Sequence, residues 1–149
     1  MSARTSTSDR FGTLVAHTAR QWRRAVDRAL QAYGLTEATW LPLLHLARAQ
    51  APMRQKDLAA SLALDTSSVV RLLDALERAG MIERRADAAD RRAKGLVLTR
   101  RGQATVAKVE TVSARIRKDV LAGLSAADLA TAARVLDHIC LQLAQTGPA

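Results

Sequence analysis

Apolar residues recur along this chain at helical spacing, broken once by a short stretch of a different kind. Over residues 9–33, Phe11, Leu14, Val15, Trp22, Val26, Leu30 and Tyr33 form one stripe, and Gly34 supplies a stop. Thr36 is placed to cap a second helix running to about Ala49, with Trp40, Leu43, Leu44 and Ala47 inward, before Pro52 breaks the chain. A short third helix is predicted over Arg54–Leu62, with Leu58, Ala59 and Leu62 on one face. Asp65 or Thr66 then caps a fourth helix that buries Val69, Leu72, Leu73 and Leu76 and ends at Gly80. Met81–Arg85 and Leu96–Leu98 are short and β-prone, and residues 86–95 between them are polar, charged and Gly-terminated, which predicts a β-hairpin with an exposed tip.

Helical spacing then resumes. Thr99 can cap a long fifth helix carrying Val106, Val109, Val112, Ile116, Val120 and Leu121, which Gly123 interrupts. Ser125 with Asp128 resembles a capping box and opens a sixth helix bearing Leu129, Ala133, Leu136, Ile139, Cys140 and Leu143. The expected fold is mainly α with a small β-hairpin, in the order α-α-α-α-β-β-α-α. Aromatics make up 3% of the chain, so aliphatic side chains must fill the core, which also favours helices over a β-sandwich. The 149 residues suffice for one compact domain and are too few for two independent cores.

Charge narrows the function. Lys and Arg total 23 against 14 Asp and Glu, a formal net charge of +9, which suits a polyanionic partner: nucleic acid or an acidic membrane face. No apolar run approaches the ~20 residues that span a bilayer, and the N-terminal segment has no apolar signal region, so a cytoplasmic protein is expected. The single Cys excludes an intrachain disulfide framework and a multi-cysteine metal site. There is no Gly-rich phosphate loop, no metal-ligand spacing and no Ser with a plausible His partner. Neither an enzyme nor a cofactor is expected.

The charge is also unevenly placed. Residues 10–33 hold five basic side chains and one acidic, and residues 83–101 hold seven and three, whereas residues 125–149 carry only Arg134 against Asp128 and Asp137. A terminal helix with so few charges must bury much of its surface, either within its own monomer or, as preferred here, in a symmetric dimer whose first and last helices pack on the partner.

Two short helices, Arg54–Leu62 and Thr66–Ala79, joined by Ala63, Leu64 and Asp65, have helix-turn-helix proportions, although the turn lacks the frequent Gly. The second helix exposes Ser67, Ser68 and Arg71 near its start, where side chains meet base edges in a major groove, and Arg71 can form a bidentate pair with guanine. The hairpin tip Asp90-Arg91-Arg92-Ala93-Lys94 sets three cations beside an acid. An Arg there fits the negative potential of a narrow minor groove, and Asp90 would orient it. Arg54, Gln55, Thr66, Arg84, Arg92 and Lys94 complete the expected DNA-contacting set. The alternative for the tip is a solvated, Arg-rich loop.

From about Leu14 to Leu143 the chain resembles the MarR family of bacterial regulators, and within it the SlyA-like group. The resemblance rests on Trp22-Arg23-Arg24-Ala25-Val26-Asp27, on Leu35-Thr36-Glu37-Ala38-Thr39-Trp40, on the run Leu72–Arg84 with its Glu77-Arg78-Ala79-Gly80-Met81-Ile82-Glu83-Arg84 ending, and on Asp90-Arg91-Arg92-Ala93-Lys94 followed by Leu98-Thr99. It implies a homodimer joined through residues 9–33 and 100–145, a winged helix-turn-helix over 36–99, a recognition helix at Thr66–Ala79 and minor-groove insertion of Arg91. It also implies an effector, a small aromatic acid bound between the dimer helices and the winged region. By position Arg20, Arg23 and Trp40 fall where SlyA-like proteins line that pocket, with Arg71 close by. One departure is that a His of the relatives corresponds to Leu44, while His45 sits one position later, a rotation of about 100°.

His17 and His45 are further candidates for effector contact, each set against an ordinary partly exposed His. Trp22 and Trp40 lie on apolar stripes, so core packing is their default, with Trp40 also able to serve as a pocket wall. Cys140, on the apolar face of the last helix, reads as a small buried hydrophobe rather than a redox sensor. The function expected is ligand-modulated regulation of transcription at a pseudo-palindromic duplex. The alternatives are an architectural DNA-binding protein that answers to no ligand and a basic peripheral membrane protein.

Overall fold

The computed structural model describes residues 6–86 and 94–146. They form α1 (Thr7–Gln31), α2 (Glu37–Arg48), α3 (Gln55–Leu62), α4 (Thr66–Arg78), β1 (Ile82–Ala86), β2 (Lys94–Leu98), α5 (Arg100–Val120) and α6 (Ala126–Gln145). Contacts divide the chain into two units, Met1–Ile116 and Arg117–Ala149.

The helix starts follow local hydrogen bonding more closely than apolar spacing. α1 begins two residues before the apolar stripe because Ser6 and Asp9 form a full capping box: Asp9 N–H donates to Ser6 Oγ at 3.1 Å and Ser6 N–H to Asp9 Oδ2 at 3.0 Å. Thr36 does occupy the N-cap of α2, but it does not cap the backbone as expected; its hydroxyl lies 3.3 Å from Thr39 Oγ1 instead. The turn between α3 and α4 has no glycine, and Ala63 takes the left-handed conformation there at φ 52°. Its N–H reaches Ala60 O at 3.2 Å and Leu64 N–H reaches Ala59 O at 3.0 Å, closing α3 with a Schellman pattern.

Two hydrophobic clusters fill the first unit, and α2 feeds both. Val26 and Leu30 of α1, Leu35, Trp40 and Leu44, and Val109 and Val112 of α5 make the first. Leu43 on the adjoining face of α2 joins Leu58, Val69, Leu73, Leu76, Ile82 and Leu96 in the second. Ala47, expected to face inward, is exposed. The core begins at Trp22 on α1; Leu14 and Val15 before it are open to solvent.

The hairpin is antiparallel, pairing Ile82 with Leu98, Arg84 with Leu96 and Ala86 with Lys94. β2 starts two residues earlier than the β-prone run, because ladder bonds need backbone groups and not apolar side chains. The outer edge of β2 is also tied: Leu96 N–H donates to Met53 O at 2.9 Å, and Arg54 bridges Gly95. At the hairpin base, Thr99 caps α5 as expected, accepting from Gly102 N–H at 3.1 Å while donating to Gly80 O at 2.6 Å.

In the second unit Gly123 turns the chain at φ 84°, and Ser125 caps α6 by accepting from Asp128 N–H at 3.0 Å. No residue of α6 is buried in the single chain; Leu136, Leu141 and Leu143 are all exposed. Cys140 is exposed as well, against the expectation of burial, because it shares the face that the lone chain leaves uncovered.

Candidate nucleic-acid interface

α4 is strongly two-faced. Val69, Leu73 and Leu76 are buried, and Thr66, Ser67 and Arg71 stand exposed on the other side of its first turns. Asp65 fixes where the helix begins: its Oδ1 accepts from Ser68 N–H at 2.7 Å and its Oδ2 from the Ser68 hydroxyl at 3.1 Å. These bonds to the carboxylate, with the charge of Arg71 adding to them, hold the Asp65 carboxyl below its ordinary range. Ser68 thus directs its proton to the cap, whereas Arg71 makes no hydrogen bond or ion pair among the described residues.

The other expected contacts fall into three settings. Arg54 and Gln55 are half-buried at the start of α3, where Asp57 Oδ2 accepts from Arg54 N–H at 2.9 Å. Lys94 is exposed at the start of β2. Asp90, Arg91 and Arg92 lie outside the described residues. Arg84 stands apart, since its guanidinium donates to Asp74 Oδ1 at 2.7 Å and Glu77 Oε1 at 3.3 Å.

The expected effector residues are not gathered into one cavity in the described chain. His17, Arg20 and Arg23 are exposed along α1. Trp40 is only 2% exposed in the first cluster, and its Nε1–H donates to Asp27 Oδ1 at 3.2 Å. His45 turns toward α3, with Nδ1 3.0 Å from Ser61 Oγ. Burial, and secondarily the positive Arg48, push its pKa below the usual imidazole value. Arg48 in turn pairs with Glu110 of α5 at 3.1 Å.

Sequence reasoning missed Asp74 and Glu77 as the partners of Arg84, and Ser61 as the partner of His45. A signal for the first was present: two acids three apart on one helix, opposite a strand arginine two residues after an apolar one.

A helix-turn-helix followed by a β-hairpin tied to both of its helices defines a winged helix-turn-helix unit. Residues 35–94 match the MarR family. The crystal structure of transcriptional regulator PA3341 superposes with a TM-score of 0.84 at 43% identity, covering 91% of this chain and 98% of that one. CouR from Rhodococcus jostii RHA1, solved bound to p-coumaroyl-CoA, gives 0.76 at 25% identity over 90% and 94%. MepR of S. aureus, solved in complex with DNA, gives 0.75 at 24% identity over 95% and 99%. The chain belongs to the MarR family of transcriptional regulators. Among the described residues no helix is long and apolar enough to cross a membrane.

Proposed function

We propose that the protein acts in the cytoplasm, without catalysis, as a homodimer that binds a pseudo-palindromic DNA duplex through α4 and the hairpin tip. The observation that carries this reading is the polar face of α4, where a capped helix start presents Thr66, Ser67 and Arg71 outward while three buried aliphatics hold the helix from behind. A helix fixed this way can enter a major groove, with Arg71 aimed at a guanine edge. In this reading Arg91 takes the neighbouring minor groove, and Arg54, Gln55 and Lys94 contact phosphates. Dimerisation is supported by the uncovered aliphatic faces of α6 and of the first half of α1. The DNA complex of MepR supports the same use of the fold.

The effector in this reading is a small aromatic carboxylate or acyl compound. The exposed cations of α1, Arg20 and Arg23, with His17 beside them, suit a carboxylate. The aromatic acyl ligand of CouR supports the class. Trp40 and His45 join such a site only if α2 shifts, because both are engaged in the protomer as it stands.

Binding titrations on a duplex selected from a random pool, beside a scrambled one, test the reading. With about eight phosphates neutralised per dimer, log K falls against log salt with a slope of about −7. Arg91→Ala weakens binding to every sequence, and Arg71→Ala relaxes half-site preference. A protein that sediments as a monomer, or binds heparin as well as any duplex, overturns it.

A further inference from the structure

Strand alternation turns Arg84 inward. It shares a face of β1 with buried Ile82 and sits opposite buried Leu96, while Glu83 and Arg85 point outward and pair with each other at 2.9 Å. Only 21% of the Arg84 side chain is exposed, against 65% for Arg85. Its fork is shared between two carboxylates: one guanidinium nitrogen donates to Asp74 at 2.7 Å and the other to Glu77 at 3.3 Å. Asp74 and Glu77 are three apart on α4 and so occupy one helix face, where like charges repel unless a cation lies between them.

The position of this contact in the hairpin matters. Below it, Ile82–Leu98 anchors the base; above it, Arg85–Gly95 and Ala86–Lys94 lead toward residues 87–93. On the far side, Met53 and Arg54 tie β2 to the segment entering α3. The hairpin is therefore clamped from both flanks, and on the α4 flank the clamp consists of Arg84 and the two acids.

We propose that Arg84 is a positioning residue that fixes the angle between the hairpin and α4, and that it does not contact DNA. Asp74 and Glu77 are the other half of the device. This rests on the DNA-binding reading above, since the angle sets whether tip and helix seat together in adjacent grooves. A phosphate contact and a positioning contact differ in one measurable respect. Losing the first lowers the salt slope of dimer binding by about two, one contact from each protomer, whereas losing the second lowers affinity at constant slope.

The test compares wild type, Arg84→Met, Arg84→Lys and the double variant Asp74→Asn/Glu77→Gln on a duplex of about 30 base pairs selected by the wild type. The double variant removes two negative charges near DNA, so simple electrostatics predicts tighter binding. The clamp predicts affinity about fivefold weaker or worse, with the slope unchanged. Arg84→Met behaves likewise, and Arg84→Lys fails to rescue, because an ammonium cannot span two carboxylates as the fork does. Tighter binding by the double variant, a shallower slope for Arg84→Met, or near wild-type affinity for Arg84→Lys overturns the proposal. A DNA-free arm stands apart from the functional reading: amide exchange in β1 should accelerate about tenfold in Arg84→Met relative to α5, and unchanged β1 protection also overturns it. Loss of all duplex binding by the wild type counts against the DNA-binding reading alone.

Discussion

His45 Nδ1 lies 3.0 Å from Ser61 Oγ, and in this pair the imidazole is the donor. Ser61 has one hydroxyl proton and gives it to Leu58 O at 3.0 Å, so toward His45 its oxygen can only accept. The neutral ring therefore carries its proton on Nδ1. A second proton, on Nε2, is opposed first by burial and then by the positive Arg48. The folded-state pKa lies below the unfolded value near 6.5, so the stabilisation is fully present above about pH 6.5 and is lost as pH falls through the folded value. Denaturation midpoints should decline from about pH 7 to 5, and His45→Gln should flatten that part of the profile. A variant profile as steep as the wild type's over this window refutes the assignment.

Ala63 holds a conformation at φ 52° that glycine adopts without strain. Left-handed backbone costs an L-residue roughly 1–2 kcal/mol, and the extra unfolded-state freedom of Gly offsets part of the gain. Ala63→Gly is expected to stabilise the protein by about 0.5–1 kcal/mol, read from urea midpoints at constant protomer concentration. DNA affinity should not move, because the left-handed turn already has the required shape. A lowered midpoint would mean that the Ala63 methyl packs usefully.

Much of this architecture was legible in the chain because its elements are bounded by residues with local reasons to be there. Gly80 and Gly123 stop helices at positive φ, and Asp65, Thr99 and Ser125 cap them with their own side chains. What was not legible depends on partners distant in sequence. Arg84 reads in sequence as a DNA-contacting cation, whereas the fold brings Asp74 and Glu77 to it. His45 is sixteen positions from Ser61, and no periodicity links the two. The apolar neighbours of Cys140 predict a core position, yet apolar spacing shows which face needs cover and cannot show whether the same chain provides it.

Gly102 is buried where α5 leaves the hairpin, and any Cβ there would overlap the carbonyl of Met81. That carbonyl is held, since Thr99 N–H donates to it at 3.1 Å, and the adjoining Gly80 O is gripped by the Thr99 hydroxyl. Backbone cannot yield as a flexible side chain would. Gly102→Ala should therefore destabilise by about 2 kcal/mol or more, despite the better helix propensity of Ala. Gly12, in α1, has open space around it and serves as the control, where Gly→Ala should stabilise. Equal effects at the two sites would contradict the close approach.

Asp65 presents a negative charge at the end of α4 proposed to meet DNA, so its removal invites two opposite expectations. If the charge mattered most, Asp65→Ala would bind duplex more tightly. The geometry argues otherwise, because the carboxylate accepts both the backbone N–H and the hydroxyl of Ser68 and thereby holds the first turn that carries Thr66 and Ser67. A frayed first turn loses the fixed placement that groove entry requires. Asp65→Ala is expected to weaken binding severalfold, and Asp65→Asn, whose amide oxygen still caps, to sit close to wild type. Ser68→Ala should also stay close, since its backbone N–H continues to donate to Asp65. Fluorescence anisotropy on one selected duplex reads all three, and tighter binding by Asp65→Ala would show that charge and not helix order governs this end of α4.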